Sequence, residues 1–341
     1  MAKAPRIFYL VPAQTRRRLD GETRKNHIMR LLFDMRRQLP SGGVKIIYQH
    51  CEMLRRHGIE AAPVHLGDFV IDWFPHSIES LTHKEALSTI ADEDILICPE
   101  IIPAAAAEFP CRQKIAFVQN WFLADIGTGP DRRYEDFGFT GLLACSNYIR
   151  NYMASRSELP CTVVINGIDL SLFKPSDAPP IHQQVLYQNR RNVADARAAI
   201  ALLEPALRAG CQFVELGNNL SQAEMICSFQ AADIYLAIGY PEGFALPPLE
   251  AMACGCVVIG FTGGGGLEHM IDSQSALVAP DGDSTALADC LTRILEDSTL
   301  KESLRDKGLL KAGEFPLARM EREVLGFAEA MSSGRPHHKD G

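Results

Sequence analysis

Residues 239–268 read Gly239-Tyr-Pro-Glu242-Gly243-Phe244-Ala245-Leu246-Pro247-Pro248-Leu249-Glu250-Ala-Met-Ala-Cys254-Gly255-Cys256-Val-Val-Ile-Gly-Phe-Thr262-Gly263-Gly264-Gly265-Gly266-Leu267-Glu268. Just upstream, the apolar run Ile234–Ile238 predicts a buried strand that feeds a glycine turn. Pro247 and Pro248 suit the first turn of a helix, where an absent N–H breaks no hydrogen bond. A helix is therefore expected over Pro247–Cys254, followed by a second apolar strand over Val257–Phe261. Strand, turn, helix, strand is the trace of a βαβ unit and hence of a parallel α/β sheet. Where the turn becomes helix, unpaired main-chain N–H groups form a cradle for an anion such as a diphosphate.

The two glutamates of this stretch, Glu242 and Glu250, stand eight residues apart, about 12 Å along a helix at its usual rise. They must touch different parts of one long ligand, and a nucleotide sugar has that length. Glu242 in the turn can take sugar hydroxyls, and Glu250 in the helix can accept from ribose hydroxyls. The plain alternative is a pair of solvated helix charges beside turn-forming glycines.

The Glu242-x7-Glu250 spacing, set in Glu-Gly-Phe…Pro-Leu-Glu-Ala-Met-Ala-Cys-Gly-Cys-Val-Val-Ile, resembles the E-x7-E element of retaining GT-B glycosyltransferases, and those of glycosyltransferase family four in particular. The resemblance implies an α/β fold of two Rossmann-like domains whose parallel sheets face each other across a cleft. It implies that Glu242 approaches the donor sugar, that Gly243, Phe244, Ala245 and Leu246 bind the donor phosphates through main-chain amides, and that Glu250 binds the ribose. Ala245 departs from the pattern, which has a second glycine there.

Further positions follow from the same resemblance. Asn166-Gly167-Ile168-Asp169…Phe173-Lys-Pro175 resembles the family's interdomain crossover, with a left-handed turn expected at Asn166-Gly167. Arg190 and Arg191 stand where relatives place cations that neutralise the departing diphosphate; the alternative is a surface pair flanking a helix start. Gly42 and Gly43, ahead of a helix expected over Val44–His57, match a G-G loop that closes on the donor or acceptor. Asn120 occupies the place where many relatives carry a histidine; an amide orients hydroxyls but accepts no proton at neutral pH. The departing phosphate oxygen is then left to take the acceptor's proton. Glu268 is expected at the rim of the donor pocket, and base recognition near Leu216-Gly217-Asn218-Asn219.

The whole chain agrees with this frame. Its 341 residues exceed the roughly 250–300 at which a single core stops growing, so two domains are expected. Short apolar runs alternate with helical patterns throughout. Strands are expected at Arg6–Val11, Ala62–His65, Ile95–Cys98, Lys114–Val118, Gly141–Cys145 and Thr162–Ile165, then at Gln184–Gln188, Gln212–Leu216 and Ala276–Val278. Helices are expected at Ala194–Ala209, Gln222–Ala232, Ser284–Glu296 and Leu300–Met331. The proline-rich stretch 173–180 reads as a linker. This divides the chain into an acceptor-side domain, 1–170, and a donor domain, 171–315. A helix of about 316–331 packs back on the first domain, and 332–341 form a disordered tail.

A net charge of −8 argues against nucleic-acid binding. The ten cysteines form no C-x-x-C pair and read as buried thiols, Cys254 and Cys256 included. Asp92-Glu93-Asp94 and Asp281-Gly282-Asp283 read as loop and capping residues rather than metal ligands, and no cofactor or metal is expected. The first apolar run is too short for a signal or membrane segment, so a cytoplasmic location is expected. Residues 14–39 are the exception to the acidic balance, with eight Lys or Arg around an apolar stripe at helical spacing. They suit peripheral contact with an anionic membrane or polyanionic acceptor, or an inserted helix with a solvated basic face.

The expected reaction is transfer of a sugar from a nucleoside diphosphate sugar to a hydroxyl of a glycan, lipid-linked or small-molecule acceptor. The alternatives are an epimerase or phosphorylase on the same architecture, or a non-catalytic sugar-nucleotide or glycan-binding protein.

Overall fold

The computed structural model describes residues 5–13, 40–217 and 220–333. The basic stretch 14–39, Asn218, Asn219 and the expected tail from residue 334 onward lie outside the described residues. Among those described, no helix is long and apolar enough to cross a membrane.

The first half builds strand β1 (Ile7–Val11), helix α1 (Gly42–Arg56), β2 (Ala61–His65), β3 (Leu81–Thr82), α2 (His83–Thr89), β4 (Ile95–Pro99), β5 (Gln113–Val118), α3 (Trp121–Thr128), β6 (Gly141–Ala144), α4 (Asn147–Met153) and β7 (Cys161–Val163). These strands pair in parallel in the order β3-β2-β1-β4-β5-β6-β7. Every residue of β1 and β4 is buried, as expected of strands covered on both faces.

The second half supplies β8 (Ile181–Gln188), α5 (Val193–Leu202), α6 (Pro205–Ala209), β9 (Gln212–Leu216), α7 (Gln222–Ala231), β10 (Ala232–Ala237), α8 (Leu246–Ala253), β11 (Val257–Gly260), β12 (Leu277–Val278), α9 (Ser284–Glu296), α10 (Ser298–Ala312) and α11 (Leu317–Ser333). Its sheet is also parallel, in the order β12-β11-β10-β8-β9. In each sheet the strand order reverses once, between β1 and β4 and between β8 and β10. Such a switch point opens a crevice at the carboxyl ends of the strands.

Several expected elements are redrawn. The helix expected over Ala194–Ala209 is two helices, because Pro205 has no N–H and pushes Glu204 into extended backbone. The pattern over Leu300–Met331 breaks between Gly313 and Pro316, giving α10 and α11, and α11 runs to Ser333. Of the thiols, Cys227 is exposed on α7 rather than buried.

The chain crosses between the sheets twice at one place. The Ile168 N–H donates to the Phe315 carbonyl (2.9 Å), and the Leu317 N–H returns to the Ile168 carbonyl (3.0 Å). The left-handed turn expected at Asn166-Gly167 is absent. Glycine is required there for a different reason: a Cβ at Gly167 would lie 2.8 Å from the Pro316 carbonyl oxygen. After this crossing α11 packs on α1, burying Met320, Val324, Phe327 and Ala328.

Candidate active site

The two switch points face each other, and between them lies a cavity of about 220 Å³. The first domain contributes Pro12 after β1, Gly42 and Gly43 at the start of α1, Glu100 after β4, and Gln119 and Asn120 after β5. The second contributes Arg190 and Arg191 after β8, Glu242, and the Phe244–Pro248 segment that opens α8.

Two helix N-termini meet here. A Cβ on Gly42, the first residue of α1, would lie 3.3 Å from the Leu246 side chain, the first residue of α8. Pro247 and Pro248 remove two N–H groups from the first turn of α8, so its cradle is narrower than a full helix start. It consists of the N–H groups of Phe244, Ala245 and Leu246, which find no acceptor among the described residues. Ser41, the N-cap of α1, makes no side-chain cap bond to that helix's free amides. Unsatisfied N–H groups and two converging helix dipoles favour an anion in the space between.

The cations stand beside this cradle. Arg191 Nη1 donates to the Pro241 carbonyl (2.8 Å) and to Glu242 Oε1 (3.2 Å), which fixes the glutamate at the cavity wall. Arg190 has no hydrogen-bonded partner among the described residues and stays open to solvent. Desolvation, together with the neighbouring Arg191, holds its pKa below the usual arginine value against the pull of Glu242.

Asn120 is not the free amide that the sequence suggests. Its Oδ1 caps α3 by accepting from the Phe122 N–H (3.0 Å), and its Nδ2 donates to the Pro241 carbonyl of the other domain (3.0 Å). Both ends are committed, so Asn120 positions the two walls relative to each other.

Four donor-binding candidates, Gly217, Gly243, Glu250 and Glu268, do not line the cavity. Glu250 is buried and its carboxylate pairs across the cleft with Lys45 of α1 at 3.3 Å. Glu268 reaches the first domain, where its carboxylate accepts from the N–H groups of Asn147 and Tyr148 at the start of α4. It acts as an interdomain cap rather than a pocket rim. Gly217 follows β9, and among the described residues nothing lies within 4 Å of a Cβ placed there.

Gly243 also serves closure. A Cβ there would sit 1.9 Å from the Gln119 carbonyl oxygen of the first domain. Its own carbonyl accepts from Ser146 Oγ (2.7 Å), and Trp121 Nε1 donates to the Gly263 carbonyl (3.0 Å) beside it. Ala245 carries the left-handed conformation, with φ of 59°. An L-residue there is strained by about 1–2 kcal/mol, and Gly is not, although Gly loses about 0.5–1 kcal/mol in chain entropy. Ala245→Gly is expected to raise unfolding stability by about 0.5 kcal/mol, as read by denaturant titration; a loss above 1 kcal/mol would contradict the strain.

Sequence reasoning missed Glu100 and Lys45. Glu100 is 3% exposed, and no side chain among the described residues pairs with its carboxyl. Burial pushes its pKa up to about 7, opposed by the nearby N–H groups of Glu100, Gln119 and Asn120. Among the described residues, no three His, Cys, Asp or Glu side chains gather as metal ligands would. Asp94 instead pairs with Arg6, and Asp283 caps α9.

The chain is similar to known glycosyltransferases. The family model described as glycosyl transferases group 1 matches residues 211–310. The chain is 22% identical over 270 residues to an alpha-1,6-glucosyltransferase of Actinobacillus pleuropneumoniae, covering 75% of this chain and 80% of that one. It is 29% identical over 110 residues to a D-inositol 3-phosphate glycosyltransferase of Corynebacterium aurimucosum, a match that spans only 26% of that relative and 32% of this chain. Anabaena HepE, solved in complex with UDP and glucose, superposes with a TM-score of 0.70 at 14% identity, over 96% of this chain and all of that one. The fold is GT-B.

Proposed function

We propose that this chain, a glycosyltransferase with the GT-B fold, moves a sugar from a nucleoside diphosphate sugar to a hydroxyl acceptor, with retention at the anomeric carbon and without a metal. The observation that carries the reading is the convergence of two helix N-termini, Arg190 and Arg191 on one cavity whose wall holds Glu242. Charge accumulates on the diphosphate as it leaves, and preorganised amides and cations stabilise that charge more than they stabilise the bound donor. In this reading the amides of Phe244, Ala245 and Leu246 take the phosphates, Glu242 holds sugar hydroxyls, and Arg190 is the cation free to meet the leaving group. The ribose reaches Glu250 by sharing or displacing Lys45. Retention rests on resemblance in the Glu242–Glu250 element.

The acceptor, a glycan, lipid-linked or small molecule, enters from the first domain. The basic residues 14–39 are, by charge alone, the part of the chain suited to an anionic surface or acceptor.

A thermal-shift panel of UDP-, GDP- and dTDP-sugars tests the donor assignment, with UDP-glucose first because the HepE structure holds UDP and glucose. A ligand at a hundred times its Kd stabilises the folded state by about 2.7 kcal/mol, so one nucleotide class is expected to raise the melting temperature by several degrees. A flat panel would remove the donor reading. Binding without release of nucleoside diphosphate would favour a non-catalytic binding protein, and donor consumption that needs no acceptor hydroxyl, or that needs phosphate, would favour an epimerase or phosphorylase.

A further inference from the structure

We propose that Lys45 is a positioning residue for the donor nucleotide: it reaches across the cleft from the first domain, holds Glu250 by one carboxylate oxygen, and leaves the other oxygen to the ribose hydroxyls. The inference rests on the transfer reading, in which Glu250 meets the ribose. It adds that nucleotide affinity depends on a side chain of the facing domain, so that the ribose is gripped firmly only when the two walls stand together.

The geometry of the pair is the first support. Lys45 Nζ donates to Glu250 Oε1 at 3.3 Å, and Glu250 Oε2 accepts from no group among the described residues. Each carboxylate oxygen can accept hydrogen bonds, so the ion pair leaves half of the group's capacity unused. The pair stands at one end of the cavity: Glu250 comes one turn after Leu246 on α8, Lys45 directly follows Val44 on α1, and both Leu246 and Val44 line the cavity. It is not sealed off, since 11% of the Glu250 side chain stays exposed.

The place of the lysine is the second support. Lys45 is the fourth residue of α1, where the helix dipole opposes a cation, and no acidic side chain offsets it in that first turn. Most of its side chain is buried, which is unfavourable for an ammonium without a partner. The partners it has among the described residues come from beyond the crossover: Glu250, and the ring of Phe173, whose centroid lies 5.3 Å from Nζ. The ring face attracts the ammonium without taking its hydrogen bond, so the lysine is steadied while that bond goes to Glu250. Glu250 in turn is buried, and no cation of its own domain pairs with it among the described residues. Its charge is matched across the cleft or not at all. A hydroxyl gains most from an acceptor that is charged and already fixed in place. A mere brace between the domains would weaken every nucleotide alike when lost, whereas a positioning role acts through the ribose hydroxyls.

The test titrates the full chain calorimetrically with UDP, or with the diphosphate of whichever base the sugar panel selects, and with the 2′,3′-dideoxy form of the same nucleotide. The unsubstituted protein is expected to prefer the hydroxylated nucleotide by about 30-fold. Lys45→Met is expected to weaken the hydroxylated nucleotide by about 10-fold and the dideoxy form by less than about twofold; Lys45→Arg should keep the preference. Lys45→Gln, which loses the charge and keeps a hydrogen-bond donor, repeats the measurement should Lys45→Met not fold. An equal loss for both nucleotides would make Lys45 a brace and overturn the assignment. No loss, or tighter binding of the hydroxylated form, would overturn it too, the latter by showing that Lys45 competes with the ribose. All three outcomes leave the transfer reading intact. If the unsubstituted protein binds both nucleotides equally, the ribose contact of Glu250 falls and this inference with it, and if it binds no nucleotide the transfer reading itself falls.

Discussion

Replacing Glu242 by Ala is expected to lower transfer by about 1,000-fold, the scale seen when one preorganised polar group is removed from the transition state. The main chain at Glu242 would be kept, because its N–H donates to the Gly263 carbonyl (2.8 Å) and its carbonyl accepts from Gly265 (3.0 Å). Arg191 would also stay in place through the Pro241 carbonyl. The loss should therefore appear in kcat, with UDP affinity nearly unchanged. Full activity in this variant would remove Glu242 from the site, and a collapse of UDP affinity would move its role from the sugar to the phosphates.

The second large effect is expected at a residue with no side chain. Gly243→Ala places a methyl group where the Gln119 carbonyl oxygen already lies 1.9 Å away, and that oxygen is main chain, so no rotamer change can clear it. The two walls must part. Overpacking of this kind costs about 3 kcal/mol, and at about 1.4 kcal/mol per decade the closed arrangement becomes about 100-fold rarer. Turnover should fall by a similar factor, with a larger radius of gyration by small-angle scattering and native-like circular dichroism. Normal turnover would mean that the closeness of Gly243 to Gln119 is not needed for catalysis.

The second sheet was the more legible in sequence. Its strands are short apolar runs flanked by turns, and Gln212–Leu216 falls where the pattern places it. Ser284–Glu296 is equally clear, because Asp283 caps it and its apolar positions repeat at helical spacing. The first domain hid more. Strand β3 has only two residues, and α3 and α4 are two-turn helices, too short for a periodic signal.

At the site, local pattern singles out Glu242, the Phe244–Leu246 turn and the arginine pair, which all line one cavity. It was not sufficient for residues whose roles depend on the facing domain. Glu268 and Asn120 look like pocket groups along the chain, but each is committed to a contact more than a hundred residues away. Glu100 gives no signal in sequence, because a lone carboxylate after a strand is ordinary; its desolvation exists only once Asn120 and Tyr134 close around it. Lys45 is one lysine on a helix until Glu250 comes to meet it.

The return of α11 to the first domain has a consequence for biosynthesis. Residues 317–333 leave the ribosome after both sheets have been made, yet they cover the face of α1 that those first residues expose. The N-terminal half therefore emerges with an uncovered apolar surface and must wait through the translation of the second half before that surface is sealed. Folding in order of synthesis, the usual course for chains of this size, leaves the packing of the first domain to be completed by α11. A nascent chain halted before Leu317 would be the species most in need of a chaperone.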